Sequence, residues 1–379
     1  MLLADRLIGQ LSRKTSSTSF IPELDGLRFV AIAMVVAHHL SSYFQVYGAY
    51  AAGDAQTSHQ YLFDFGARGV DLFFALSGFI LAVPFARQAL ELGRTQPLRA
   101  YFLRRLTRLE PPLLFHLVVL ALVHLAVTDV SAEQVGRGFL GHMFYASRVL
   151  ETYRLNVVLW SLEVEAQFYV LAPVLALVYK LHGRGLRAAV FLGLGIGLHV
   201  GAPYVFGNAD NFFTYALYFT VGMMVADFYV TTGGAMSRAG RNWVDWAVLG
   251  LLPVSLIVSN REWHPELVLP LHAGMALLAA LSGGRAAARL RNPALVTIGG
   301  MCYTIYMYHY LMISVVGRAT ANWFPGWPYP AFFLAQLGTH ALVIVTASAV
   351  LFRFMERPFM AVSADSVLRR LRGITPMAE

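Results

Sequence analysis

Two basic side chains in the first apolar segment, Arg28 and His39, are of a type and spacing that could perform chemistry together. At 100° per residue they share one face of a helix, about 16 Å apart along its axis. An imidazole in an apolar setting can act as a general base, and an arginine can attract an anionic substrate. The alternative, an interfacial arginine and an ordinary core histidine, stays open on spacing alone.

A carboxylate that could assist this histidine lies in a later apolar segment. Glu163 and Glu165 point about 200° apart on a helix, so at most one of them faces a given cavity. Because this segment enters from the opposite side, we expect Glu165 at a depth close to that of His39, as its orienting carboxylate. A structural ion pair is the competing interpretation.

Two arginines three residues apart, Arg105 and Arg108, predict a two-pronged cation on one helix face. Such a pair suits phosphate groups or a nucleotide diphosphate, although charges that only set membrane topology have the same pattern. Packing explains most of the remaining polar and aromatic positions at least as well as chemistry does. The candidates for lining a cavity or an acceptor site are Asp71, Ser77, Trp160, Tyr303 and His309.

The amino-acid composition indicates the environment of these residues. Hydrophobic residues make up 57% of the 379 residues and charged residues 13%, about half the ~25% typical of soluble domains. The chain is therefore predicted to be an integral membrane protein. Its single cysteine, Cys302, excludes an internal disulfide framework and a cysteine-based metal site, and we expect no metal. The net charge of +8 is dispersed between apolar segments, so we expect no nucleic-acid partner.

The apolar segments predict an all-α, polytopic fold of ten transmembrane helices. The first segment follows a polar start without a cleavable signal pattern and is expected to remain as an anchor. Most of the 29 Lys and Arg residues fall on one side if both termini are cytoplasmic. We therefore predict a cytoplasmic segment 1–20, a membrane domain 21–358 and a cytoplasmic tail 359–379. The predicted spans lie near 27–47, 68–92, 109–128, 157–181, 186–206, 211–230, 243–260, 264–282, 294–317 and 330–354.

Six short motifs occur in order along the chain, and together they resemble the integral-membrane acyltransferase family 3. The resemblance covers nearly the whole chain, whereas each motif alone is weakly specific. The motifs are Leu24-Asp-Gly-Leu-Arg28 with His39, Gly69-Val-Asp-Leu-Phe-Phe-Ala-Leu-Ser-Gly-Phe79, Arg105-x-x-Arg108, Trp160-Ser-Leu-Glu-Val-Glu165, Tyr303-x-x-Tyr306-x-x-His309 and Glu356-Arg-Pro358.

The resemblance implies transfer of an acyl group, usually acetyl, from cytoplasmic acyl-CoA to a hydroxyl of a surface glycan or lipid-linked saccharide. It implies that His39 is the essential histidine, with Arg28 as its partner, and that Glu165 is a functional carboxylate. Arg105 and Arg108 correspond to the pair that would hold the CoA phosphates. The implied location is the bacterial cytoplasmic (inner) membrane. Some members carry a fused hydrolase-like domain after the tenth helix, and this chain resembles a stand-alone member.

The mechanism expected from these residues is direct transfer. His39, oriented by Glu165, would deprotonate the acceptor hydroxyl, which then attacks the thioester. An acyl-enzyme on His39 or Ser77 is a second route.

Other functions also fit the pattern. A transporter or flippase of lipid-linked glycans is the rival class, because buried Arg, His and Glu residues among ten helices also describe a permeation path. Acylation of a small cytoplasmic metabolite is a third possibility. The sequence predicts no particular acyl group, acceptor or oligomeric state.

Overall fold

The computed structural model describes residues 9–11, 13, 20–47, 65–93, 95, 97–207, 210–234, 236–259 and 267–360. Within these ranges all regular secondary structure is helical, which confirms the predicted all-α fold. The long helices follow the order of the predicted spans. They are α1 Pro22–Val46, α2 Gly69–Ala89, α3 Leu98–Val127, α4 Trp160–Leu175, α5 Arg184–Phe206, α6 Phe212–Thr232, α7 Arg238–Ser259, α8 Val268–Leu281, α9 Cys302–Thr320 and α10 Tyr329–Leu351.

Short helical elements fill several of the connections between the long helices. Ser131 and Gln134 form a capping box that starts one of them, because each side chain bonds to the backbone N–H of the other residue. These elements are a 3₁₀ turn Phe65–Arg68, a helix Ala132–Met143, a 3₁₀ turn Ala176–Lys180, helices Arg285–Leu290 and Pro293–Gly300, a π turn Phe352–Glu356 and a final helix Arg357–Met360.

The helices have the dimensions of membrane spans. Eight helices in the described ranges are long and apolar enough to cross a membrane, and α8 is a shorter apolar helix of 14 residues. The chain is thus a multi-pass membrane protein. Ten spans stay a prediction, because α8 and the more polar α9 do not meet the length and hydropathy expected of a span on their own. The cytoplasmic location of both termini also stays a prediction. Most of segment 1–20, residues 361–379 of the predicted tail and residues 48–64 lie outside the described ranges.

Ion pairs between helix ends identify the two ends of the bundle. Arg187 in the first turn of α5 bonds to Asp227 near the end of α6 at 2.9 Å. Arg148, which precedes α4, pairs with Asp210, which precedes α6, at 2.7 Å. The end at which α1 begins is called the lower end here, and the opposite one the upper end. Most described Lys and Arg residues lie at the lower end.

The helix that contains the third predicted span, 109–128, begins before that span. Helix α3 starts at Leu98 and continues through Pro111 and Pro112. Its first turns carry several arginines, so the apolar pattern that marks a span begins only after the helix has already started. As a result, Arg105 and Arg108 lie on the same rigid helix as the apolar span.

Glycines allow the central helices α2 and α6 to touch along their backbones. Gly78 of α2 lies against the carbonyl of Phe219, and Gly222 of α6 lies against the carbonyl of Ala75. A Cβ at either position would overlap with the facing carbonyl oxygen. The ring of Phe168 from α4 stacks on Phe219 with centroids 4.2 Å apart and closes the core beside this contact. The small-residue patch at Ser77 and Gly78 therefore includes a helix-packing site.

We predict that Gly78→Ala destabilises the protein by about 1 to 3 kcal/mol, the usual cost of overpacking a tight contact. Thermal unfolding of the purified protein in detergent should show a lower midpoint. Gly197→Ala on α5 is the matched control, because nothing lies within 4 Å of a Cβ at that position. Equal midpoints for both variants would contradict the packing role of Gly78.

Candidate active site

The centre of the candidate site is a contact between two histidines, His39 of α1 and His309 of α9. The Nδ1 atom of His39 lies 3.0 Å from the Nε2 atom of His309, and the ring centroids are 5.0 Å apart. His309 is fully buried, whereas His39 is partly exposed. The edge of Tyr310 faces the His39 ring, with centroids 5.5 Å apart. Two helices that are distant in sequence thus place two imidazoles in direct hydrogen-bond contact.

The backbone of α9 determines which nitrogen of each neutral ring carries hydrogen. The Nδ1 atom of His309 lies 2.7 Å from the carbonyl oxygen of Tyr306 and 3.1 Å from that of Ile305. A carbonyl oxygen only accepts, so this nitrogen carries the hydrogen and Nε2 of His309 is an acceptor. His39 must then donate from Nδ1, which leaves the lone pair on its Nε2 atom. That tautomer is the one required of a general base.

Glu165 does not orient His39, which corrects the expectation from the sequence. The carboxylate accepts a hydrogen bond from the Ser77 hydroxyl at 2.7 Å. It also lies within electrostatic range of Arg28 and Tyr169, towards the lower end. No hydrogen bond or ion pair joins Glu165 to His39 in the described part of the chain. Helix depth alone placed these side chains at one level, but the rotation and tilt of α4 direct Glu165 to α2 instead.

Glu163 points away from Glu165, as the two-residue spacing predicts. Its Oε1 atom lies 3.3 Å from Nδ1 of His142, and its Oε2 atom accepts the backbone N–H of Arg148 at 3.1 Å. Glu163 therefore stabilises the connection between α3 and α4.

Tyr306 links the histidine pair to helix α4. Its hydroxyl donates to the carbonyl of Val158 at 2.8 Å and accepts from the hydroxyl of Ser161 at 2.6 Å. Its ring centroid lies 5.7 Å from that of His309. These bonds hold the first turns of α9 against the start of α4, so the carbonyl that binds Nδ1 of His309 has a fixed position.

Guanidinium groups gather below the histidine pair. Arg28 donates to Oδ1 of Asp25, one turn earlier in α1, and Arg13 donates to the same oxygen at 3.1 Å. The guanidinium of Arg105 lies 5.0 Å from the ring centroid of Tyr101. Neither Arg105 nor Arg108 forms an ion pair with a carboxylate of the described residues, and Nε of Arg108 is buried without a hydrogen-bond partner there. Buried unpaired cations are costly, so this group of side chains suits an anionic ligand.

Comparison with known proteins identifies the family. The family described as "Acyltransferase domain" matches residues 21–352. The chain belongs to this acyltransferase family. It is 23% identical over 90% of its length to the peptidoglycan O-acetyltransferase OatA of Listeria monocytogenes serovar 1/2a, of which it covers 56%. It is 24% identical over 81% of its length to Nodulation protein 10 of Rhizobium leguminosarum bv. viciae, covering 86% of that protein. No solved structure matches the chain.

Three further residues that the sequence predicts to line a cavity have specific contacts. Asp71 forms an ion pair with Arg68 at 3.4 Å near the upper end. Trp160 packs on Tyr215 with centroids 5.4 Å apart. Tyr303 donates its hydroxyl to the carbonyl of Leu109 at 3.0 Å and so ties α9 to α3.

The sequence does not reveal how several residues shape the site. The contact of Asp25 with Arg28 has a local signal, because a carboxylate three residues before an arginine faces it on a helix. Arg13 lies in the predicted cytoplasmic segment 1–20, for which the sequence predicts no chemistry. His309 is a predicted cavity residue, but its contact with His39 joins positions 270 residues apart and has no local signal.

Glu356, from the last motif, is a fully buried carboxyl below the arginines. Its Oε2 atom accepts both the backbone N–H and the hydroxyl of Thr304, at 3.2 and 2.6 Å. These bonds fix the start of α9 to the π turn that follows α10.

We predict that Thr304→Val lowers stability by about 1 to 3 kcal/mol, because a buried carboxyl loses a donor. The measurement is the thermal midpoint in detergent. Thr346→Val is the matched control: Thr346 is exposed, and its hydroxyl bonds only to the carbonyl of Leu342 one turn earlier. A midpoint for Thr304→Val no lower than that of the control would show that the bond contributes nothing.

Proposed function

We propose that the chain is a membrane O-acyltransferase that moves an acyl group, usually acetyl, from cytoplasmic acyl-CoA to a hydroxyl of a saccharide. The observation that supports this best is the His39–His309 contact, since it leaves a basic lone pair on Nε2 of His39. Membership of an acyltransferase family favours this function over the transporter alternative. The name of the relative OatA supports an O-acetyl product on a cell-wall glycan.

The arginines at the lower end would bind the donor. Arg105 and Arg108 offer guanidiniums that form no ion pair with a described carboxylate, and Arg28 lies on α1, the helix that carries His39. Phosphate groups accept the forked hydrogen bonds of a guanidinium, so these side chains suit the phosphates of CoA. When bound, acyl-CoA supplies the electrophilic thioester carbonyl.

His39 would perform the proton transfer. Its Nε2 atom takes the proton of the acceptor hydroxyl as the oxygen attacks the carbonyl, and it returns a proton to the departing thiolate of CoA. His309 is a positioning residue, because it contacts His39 rather than the reacting atoms. Glu165 would act electrostatically near the donor through Ser77 and Arg28 rather than as the partner of His39.

The orientation and location follow from the same proposal. The lower end, with most of the arginines, would face the cytoplasm where acyl-CoA is present, and both termini would then lie on that side. The membrane would be a bacterial cytoplasmic (inner) membrane. The working unit is proposed to be the membrane domain 21–358, with the acceptor saccharide approaching from the upper end.

We predict that His39→Ala lowers acyl transfer by about 10²- to 10⁴-fold while the protein stays folded in the membrane. The assay supplies radiolabelled acetyl-CoA to membranes that contain a glycan acceptor, and it measures both free CoA and labelled glycan. Direct transfer predicts no label on the protein itself. His272→Ala is the control, because this ring bonds to Ser255 between α7 and α8.

Two results of this assay would refute the proposal. Near-normal transfer by the His39→Ala variant would exclude His39 as the base. Wild-type membranes that release no CoA and label no glycan would favour the transporter alternative. A label on Ser77 of the wild-type protein would replace direct transfer with the acyl-enzyme route.

We predict that His309→Ala lowers kcat but leaves KM for acyl-CoA nearly unchanged, because His39 loses the acceptor that selects its tautomer. His309→Gln should restore part of kcat, since an amide oxygen can accept the same hydrogen bond. His340→Gln is the control: His340 is also fully buried and bonds to the carbonyl of Gln336, but it has no histidine partner. Equal losses in the Ala and Gln variants of His309 would indicate packing instead of positioning.

A further inference from the structure

A short N-terminal segment packs against the lower end of the bundle. The carbonyl of Gly9 accepts a hydrogen bond from Nη2 of Arg357 at 3.2 Å, and Leu11 packs against the hydrophobic core. A Cβ on Gly300 would lie 3.5 Å from Cβ of Arg13, so the backbone of the helix before α9 is adjacent. These contacts place the Arg13 side chain inside the bundle, where it is 14% exposed.

Arg13 lies beside Arg28, one of the arginines proposed to bind acyl-CoA. Oδ1 of Asp25 accepts from both Arg13 and Arg28, so one carboxylate holds two guanidiniums side by side. Arg108 lies within electrostatic range of Arg13 as well. The Nε atoms of Arg13 and Arg108 are buried, and neither has a hydrogen-bond partner among the residues described. Two buried donors within electrostatic range of each other thus lack an acceptor among the described residues, and Oδ2 of Asp25 and Oε1 of Glu356 nearby lack a donor there.

The balance of charge in this cluster also calls for an anion. Electrostatic contacts link four cations, Arg13, Arg28, Arg105 and Arg108, to three carboxyls, Asp25, Glu165 and Glu356. One of these carboxyls is already engaged by Thr304. Burial, together with the positive charges of Arg108 and Arg28, lowers the pKa of the Arg13 guanidinium to about 9. Like charges are brought together and removed from water, an arrangement that a bound phosphate would stabilise.

We propose that Arg13 is a further phosphate-binding residue beside Arg28 and Arg108, and that it contacts the diphosphate of the nucleotide-bearing acyl donor. This inference rests on the proposed function and adds a residue that comes from outside the helical bundle. A diphosphate is favoured over a lipid headgroup, because the three guanidiniums come from three separate elements and converge inside the protein, where Arg13 and Arg28 are 14% and 13% exposed.

The test measures binding of CoA to purified protein in nanodiscs of phosphatidylcholine alone. We expect Arg13→Gln to weaken CoA binding by about 10- to 100-fold, the loss typical of one charged hydrogen-bonding group. The same factor is expected for 3′-dephospho-CoA, which keeps the diphosphate. Arg99→Gln is the matched control, because Arg99 is exposed at the same end of α3. Thermal midpoints without ligand verify that both variants are folded.

Each other result overturns the inference in a distinct way. CoA binding by folded Arg13→Gln as tight as that of the wild type would reduce Arg13 to a structural partner of Asp25. Tighter binding would make the N-terminal segment an obstacle to the donor. An effect of the substitution that appears only when phosphatidylglycerol is added would assign the site to a lipid phosphate. Wild-type protein that neither binds CoA nor releases it from acetyl-CoA would instead refute the proposed function.

Discussion

The candidate site depends on the hydrogen bonds between His309 and the backbone of its own helix. The carbonyl oxygens of Tyr306 and Ile305 accept from Nδ1 of His309, and these bonds select the tautomer of both histidines in turn. A neutral imidazole has one donor nitrogen and one acceptor nitrogen. The backbone carbonyls therefore fix the hydrogen on Nδ1 of His309, its Nε2 accepts from Nδ1 of His39, and Nε2 of His39 keeps a lone pair. His309 is an uncharged partner for His39. It avoids the desolvation free energy that a carboxylate buried inside a membrane protein would cost.

The packing of the bundle keeps this chain of hydrogen bonds in place. Tyr306 is bonded to α4 at one side of the histidines, and Glu356 anchors the beginning of α9 at the other. Close contact of α2 with α6 through Gly78 and Gly222 forms the rigid centre beside which α1 and α4 lie. The candidate catalytic side chains are therefore held on helices, whose positions are more exact than those of loops.

Positive charge is concentrated at one end of the bundle. Guanidiniums gather at the lower end, while the imidazole pair lies higher in a mostly apolar interior. Asp25 neutralises part of this charge and positions two arginines with a single oxygen. In the proposed reaction, such an arrangement would hold a charged donor at the membrane surface and admit only its neutral reactive arm towards the base.

The amino-acid sequence suffices to predict the all-α membrane fold, the order of the long helices and the motifs of the family. These follow from local composition, because apolar length and the spacing of charges act within single helices. The same holds for the pairing of Asp25 with Arg28 and for the opposite directions of Glu163 and Glu165, because each depends on spacing within one helix. The contacts of His39 with His309 and of Glu165 with Ser77 could not be predicted in this way and are seen only in the folded protein. Helix rotation, tilt and depth set those contacts, and they result from packing between helices far apart in the chain.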